Sequence, residues 1–315
     1  MRRLRILTWH THGNYLYYLT QAPHDFYVLS KPGRPAGYAG ASGDLPWGSN
    51  VHDLPVDRAR NQPLDCVVYQ DDPQYFADQY EHLSAAQRAL PRIYIEHDPP
   101  REQPTDTPHP IDDPNVLVVH VTPFNALMWS PTRAATRVIE HGVVLARTAE
   151  YTGELERGLV VVNHLMRRGR RLGADVFTAA RAQVPLDLVG MGAEELDGLG
   201  EVRHAELPQF AARYRFFFNP IRYTSLGLAV IEAMLVGLPI VALATTEMAT
   251  AVVNGVTGYA DTSVDRLIER MRELLRDPAL ARELGAGARK NAEERFNIHR
   301  FVADWNAAFA AVTAA

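Results

Sequence analysis

Glu232 stands in the middle of an apolar run, Leu226-Gly-Leu-Ala-Val-Ile-Glu232-Ala-Met-Leu-Val-Gly237. A carboxylate buried in such a helix is costly unless something satisfies it. A nearby arginine or backbone amide would do so, and so would a bound polyol such as a ribose offering two hydroxyls. Just upstream, Ser225, Leu226 and Gly227 stand at the helix start, where backbone N–H groups can receive an anion. A plain N-cap by Thr224 or Ser225 is compatible with the same residues. A second set is the arginine-rich stretch Arg167-Arg168-Gly169-Arg170-Arg171. Fixed guanidinium groups at a strand end would stabilise a developing negative charge, whereas the ordinary reading is a solvated basic loop. A third set is His97-Asp98, directly after the apolar run Arg92–Glu96. In open α/β sheets, ligands sit beyond the carboxyl ends of strands.

The elements that must hold these residues alternate along the chain. Leu4–Trp9 reads as a first strand, followed by the loop His10-Thr-His-Gly13-Asn14 and a helix. Phe26–Leu29, Asp65–Tyr69, Arg92–Glu96, Val116–Val121 and Arg137–Ile139 read as further strands, with helices over Glu81–Leu90 and from Thr122-Pro123 to Trp129. Residues 31–63 are rich in Gly, Pro, Asp and Asn and read mostly as loop; a connection that long is expected to order in part over a ligand. The second half repeats the alternation: strand Leu159–Val162, basic loop Asn163–Arg171, helix Ala174–Ala182, strand Leu186–Val189 ending in Gly190-Met191-Gly192. A short extended piece at Val202–His204 and a helix over Leu207–Tyr214 come next. The stretch Phe216–Ala244 then reads strand, loop, helix, strand, with Gly237 as a left-handed helix stop and Pro239 after it. Val264–Arg276 and Pro278–Arg295 are charged amphipathic surface helices. The last helix carries Phe301, Trp305 and Phe309 at i, i+4, i+8, a packing stripe.

With 315 residues, 47% of them apolar, the chain suits two α/β domains. The net charge of −5 argues against a nucleic-acid partner held by bulk charge. The single cysteine, Cys66, reads as a buried core residue. No stretch approaches the length of a membrane span and the N-terminus reads as a strand rather than a signal peptide, so the expectation is a cytoplasmic protein. A surface patch adhering to the inner face of a membrane would not show in total charge. His10-x-His12 and Asp71-Asp72 have ligand side chains, but the chain lacks His-Glu-x-x-His and any cysteine cluster, so no metal site is assigned.

The run Pro220-Ile-Arg-Tyr-Thr224-Ser-Leu-Gly227-Leu-Ala-Val-Ile-Glu232-Ala-Met-Leu-Val-Gly237-Leu-Pro239-Ile-Val-Ala242 resembles the Glu-x7-Glu region of retaining GT-B glycosyltransferases, glycosyltransferase family 4 (glycosyl transferases group 1). Asn254-Gly255-Val-Thr-Gly258, Ile139-Glu-His-Gly142-Val and Ile95-Glu-His97-Asp98 also resemble segments of that family. The resemblance covers most of the chain and is thinnest in residues 15–64. It implies an α/β GT-B fold, with two Rossmann-like domains facing each other across a cleft. Residues 1–142 would bind the acceptor, residues 143–298 would bind the nucleotide sugar, and a helix over 299–315 would pack back on the first domain. Two departures stand out. Thr224 replaces the first Glu, which in the family contacts the transferred sugar. Leu172 stands where the family has a Lys that comes after an Arg.

The implied activity is a metal-independent, retaining transfer of a sugar from a nucleotide-diphosphate sugar, UDP- or GDP-linked, to an acceptor hydroxyl. No cofactor beyond that co-substrate is expected. The acceptor would be a glycan, a lipid-linked molecule or a small molecule. His97 would face the transferred sugar or the acceptor, and Thr224 the transferred sugar. Gly13, Arg168, Arg171, Ser225, Leu226 and Gly227 would hold the diphosphate, Glu232 the ribose, and Gly190, Met191 and His204 the base pocket. The alternatives are a nucleotide-sugar epimerase or phosphorylase-like enzyme of the same fold, and a sugar-binding or nucleotide-binding protein that has lost catalysis.

Overall fold

A computed structural model describes residues 2–43, 45–144 and 149–314. The chain divides into two compact units: residues 1–142 with 298–315, and residues 143–297.

In the first unit β1 (Arg5–Thr8) leads to α1 (Gly13–Leu19), β2 (Asp25–Ser30), β3 (Val51–Pro55), α2 (Val56–Ala59) and β4 (Cys66–Tyr69). Next come α3 (Gln79–His82), α4 (Ala85–Arg88), β5 (Arg92–Glu96), β6 (Val116–His120), α5 (Pro123–Met128) and β7 (Ala135–Val138). The described strands form one parallel sheet in the order β3-β2-β1-β4-β5-β6-β7. Its order reverses between β1 and β4, so the crevice at their carboxyl ends is a topological switch point. β4 (CVVY) is buried throughout, as an interior parallel strand must be, and Cys66 is part of that core.

Two details differ from expectation here. Residues 31–63 are mostly loop, as read, but Val51–Pro55 within them pairs with β2 along its whole length, Phe26 with Val51 through Ser30 with Pro55. It lies at the edge of the sheet, and only Leu54 is fully buried, so its pattern is too polar to signal a strand. The single helix expected over Glu81–Leu90 is broken at Leu83-Ser84. Ser84 caps α4 in a reciprocal capping box with Gln87, which ends one helix and starts another.

The second unit runs β8 (Leu155–Val161), α6 (Leu165–Leu172), α7 (Ala174–Arg181), β9 (Leu186–Val189), α8 (Leu207–Ala211), β10 (Tyr214–Asn219), α9 (Leu228–Val236) and β11 (Ile240–Leu243). It finishes with α10 (Met248–Ala251), β12 (Gly258–Asp261), α11 (Val264–Arg276) and α12 (Pro278–Arg295). Its parallel sheet has the order β12-β11-β10-β8-β9, with the reversal between β8 and β10. β10 (YRFFFN) is buried at every position. Its one charge, Arg215, is satisfied by carbonyls: Nε donates to Gly153 O at 2.8 Å and Nη1 to Leu275 O at 2.7 Å, at the C-terminal end of α11. The chain then returns to the first unit as α13 (Ile298–Thr313), burying Phe301, Trp305 and Phe309. A Cβ on Gly142 would lie 2.2 Å from that of Phe301, so the approach of α13 requires glycine there.

In this unit the basic stretch is a helix, not a loop. Leu165 and Leu172 reach the core, and the arginines between them face outward, with a kink at Gly169 (φ 58°). Val202–His204 joins no sheet. Gly237 ends α9 as expected: it is left-handed (φ 99°), and Leu238 N donates back to Ala233 O at 3.0 Å.

Candidate active site

In the second unit the switch point brings together the segment after β8 and the segment after β10. The loop after β10 is pinned on two sides. Arg222 N and Tyr223 N both donate to Arg171 O at 3.1 Å, and Thr245 Oγ1 donates to Ile221 O at 2.9 Å. The Arg222 guanidinium bridges Asp175 and Arg170 O, at 2.5 and 2.7 Å. Gly173 (φ 84°) lies so close to this loop that a Cβ there would be 1.9 Å from Pro220 O.

The pinned loop delivers the start of α9. Gly227, not Thr224 or Ser225, is its N-cap, and no side chain caps it. Thr224 and Ser225 are half-buried in the preceding loop, so their caps are replaced by an extended glycine (φ −72°, ψ 134°). The first N–H groups of an α-helix have no intrahelical acceptor, and a glycine N-cap has no side chain to offer them one. Gly227 is exposed, and nothing lies within 4 Å of where its Cβ would be. The geometry is that of an anion site with open access.

The arginines sort themselves. Arg167 is exposed, and Arg170 is held by Asp175 at 2.6 Å. Arg168 and Arg171 are half-buried. Arg171 is fixed at its backbone by the Arg222 and Tyr223 amides, while its guanidinium has no partner among the described residues. Leu172, at the family's Lys position, is 1% exposed in the core and offers nothing to a phosphate.

Glu232 lies one turn into α9 and is 6% exposed. His204 Nε2 approaches its Oε1 at 3.5 Å, an ion-pair distance without hydrogen-bond geometry. The two line a narrow apolar crevice with Pro208 and Ala229, holding about 20 Å³ of space, hardly more than one water. Gly190 and Met191 are stitched to the β8 loop: Met191 N donates to Asn163 Oδ1 at 2.9 Å and His164 N to Met191 O at 2.6 Å. Gly190 (φ 131°) leaves no room for a Cβ, which would lie 2.8 Å from both Asn163 Oδ1 and Val162 O. Met191 is exposed.

Residues 164–277, which span these elements, match the family model for glycosyl transferases group 1. Over those residues the chain is similar to that family. Solved structures with a similar fold include an S. aureus TarM mutant in complex with fondaparinux, alpha-GlcNAc-glycerol and UDP (TM-score 0.63, 14% identity, 81% of this chain and 58% of that one). They also include sucrose-phosphate synthase from Thermosynechococcus elongatus (0.72, 17%, 100% of each chain). A third is Anabaena HepE in complex with UDP and glucose (0.72, 14%, 98% and 100%). The chain thus spans a little over half of TarM. At these identities the likeness concerns the fold, which is GT-B. No curated protein sequence matches the chain.

Of the residues expected in the site, Gly13 and His97 lie in the first unit. Gly13 starts α1, and a Cβ on it would meet His10 Nε2 at 2.9 Å. His97 is half-buried but its Nε2 is enclosed and has no partner among the described residues. Its ring lies 4.2 Å from that of His12 and 4.8 Å from that of Tyr15. Burial, with His12 and His141 adding to it, holds the His97 imidazole well below its ordinary pKa, so it is neutral near pH 7. Sequence reasoning missed the positioning roles of Gly173, Arg222 and Asp175, because each acts on a segment distant in the chain. Among the described residues no three His, Cys, Asp or Glu side chains converge as metal ligands, and no helix is long and apolar enough to cross a membrane.

Proposed function

We propose that the protein is a glycosyltransferase that moves a hexosyl group from a nucleotide-diphosphate sugar to an acceptor hydroxyl with retention of configuration and without a metal ion. The observation that carries the reading is the glycine-capped start of α9 after β10, open at Gly227, with buried Glu232 one turn behind it. Phosphate oxygens would accept from the N–H groups at Ser225, Leu226 and Gly227 and from Arg171, with Arg168 alongside. Glu232 would accept both ribose hydroxyls, and the Gly190-Met191 turn with His204 would flank the base. The HepE and TarM complexes hold UDP, which favours uridine over guanosine as the base.

In the transfer, the bond from the sugar C1 to the diphosphate oxygen breaks and its electrons leave with the diphosphate. The acceptor oxygen bonds to C1 on the same face and its proton passes to the leaving phosphate. The catalytic contribution lies in stabilising charge on the leaving group. Thr224, uncharged where the resembling family has Glu, would hydrogen-bond the sugar and is no nucleophile. Neutral His97 would hydrogen-bond the sugar or the acceptor. The acceptor, a glycan, a lipid-linked or a small molecule, would bind the first unit.

Calorimetry with UDP, GDP, ADP and TDP and their sugars, with and without EDTA, tests this. Tight binding of one nucleotide, unchanged by EDTA and lost in Glu232→Ala, is the expected result. Binding of no nucleotide would refute the donor site. Binding without turnover over a broad acceptor panel would favour a catalytically inert sugar-nucleotide binder.

A further inference from the structure

β12 is the outermost strand of the second unit's sheet and pairs there with β11 alone. Main-chain groups of a strand alternate in direction, so half of those in an edge strand must find another partner. Ile240 N donates to Thr257 O at 3.1 Å and Ala244 N to Asp261 O at 3.0 Å, which turns the odd-numbered residues of β12 toward β11. Gly258 and Ala260 therefore point their main-chain groups away from the sheet. Such an edge is a template for a further strand.

Here the chain covers the edge itself. Gly255 N donates to Gly258 O at 3.0 Å. The Asn254 carboxamide takes both groups of Ala260: Oδ1 accepts from Ala260 N at 2.6 Å, and Nδ2 donates to Ala260 O at 3.2 Å. Ala260 N only donates and Ala260 O only accepts, so this orientation of the amide is fixed. A carboxamide carries a donor and an acceptor side by side, as a peptide group does. One side chain thus stands in for one rung of a missing strand.

The opposite edge of the same sheet is covered by main chain. On β9, Leu188 O accepts from Leu199 N at 2.8 Å, and Gly190 N donates to Gly200 O at 2.9 Å. At β12 the rung at Ala260 depends on Asn254. Its surroundings suit strand addition. Val253 and Val256, beside it in the chain, are exposed. Ala260 is half-buried, and a cavity of about 540 Å³ lies alongside, walled by Asn254, Tyr259, Ala260 and the Arg266 and Arg270 side of α11. Among the described residues no strand continues the sheet on that side.

We infer that Asn254 guards this edge: its carboxamide occupies the place where a second copy of the chain would add its own β12, antiparallel across a two-fold axis.

The test uses two variants of the full chain. Asn254→Leu keeps the bulk and removes the amide. Asn254→Ser suits a turn and is too short to reach Ala260. In both, hydrogen exchange followed by NMR should show the Ala260 amide exchanging about tenfold faster or more, while the Tyr259 amide, which faces β11, keeps its wild-type rate. In sedimentation velocity the mean mass of both variants should rise with protein concentration above that of wild type. Ala260→Pro, added to Asn254→Leu, removes the outward N–H at an edge position that accepts proline and should restore the wild-type mass. Unchanged exchange at Ala260 would mean that the carboxamide does not cover the strand, and the inference falls. It falls equally if Ala260 is freed without added association, or if association persists in the Ala260→Pro double variant and so uses another surface.

Discussion

The carbonyl oxygen of Pro220 lies 1.9 Å from the point where a Cβ on Gly173 would sit. Gly173 joins α6 to α7, and Pro220 starts the loop that leads to α9. One glycine therefore sets how closely the arginine helix approaches the loop that leads to α9. Gly173→Ala faces both this overlap with backbone, which cannot move aside as a side chain can, and a positive φ of 84°. We expect a loss of more than about 2 kcal/mol by denaturant titration, together with weakened nucleotide binding.

Gly227→Ala makes the opposite prediction. Its backbone (φ −72°, ψ 134°) suits any residue, and no protein atom lies within 4 Å of the new methyl. Stability should stay within about 0.5 kcal/mol of wild type. Affinity for a nucleoside diphosphate should fall about tenfold or more, because the methyl occupies the approach to the helix N–H groups. Unchanged affinity by calorimetry would move the anion elsewhere.

Arg171→Gln removes the unpartnered guanidinium while keeping the backbone carbonyl that Arg222 and Tyr223 use. The loss should be specific to phosphate: UDP affinity falls about tenfold or more, and uridine affinity stays unchanged. An equal loss for both ligands would mean that the loop, rather than the charge, had been disturbed.

The first unit should weaken in acid. His120 is 3% exposed, and burial, with His109 second, pushes its pKa from 6.5 down to about 4. The unfolded chain takes up a proton below pH 6.5 and the folded one only near pH 4. Stability is thus fully present above pH 6.5 and is lost as pH falls toward 4. Glu96 works in the other sense, since burial raises its pKa and protonation suits the folded state. Comparing wild type with His120→Asn by fluorescence-monitored unfolding from pH 7.5 to 4 isolates the imidazole; the variant should lose less stability over that range.

Much was legible in the order of the residues. The all-buried strands β4 and β10 announce themselves as unbroken apolar runs, because an interior parallel strand has no polar face to show. Gly237 with Pro239 marks the end of α9, since that conformation and that missing donor are properties of single residues. Glu232 stood out because a charge inside an apolar helix is anomalous wherever the helix lies. Local chemistry determined all three, and with them the alternation of strands and helices in a GT-B chain.

Tertiary structure decided the rest. β3 became a strand by pairing with β2, not by its own pattern, and the basic stretch became helical because Leu165 and Leu172 found a core. Gly227 became the cap in place of Thr224 or Ser225 because the loop was pinned from Arg171 and Thr245. That Arg170 is tied up while the Arg171 guanidinium is not depended on where Asp175 came to lie. Propensity and patterning act over one turn or one strand. A binding site is made of contacts between segments that only the folded chain brings together.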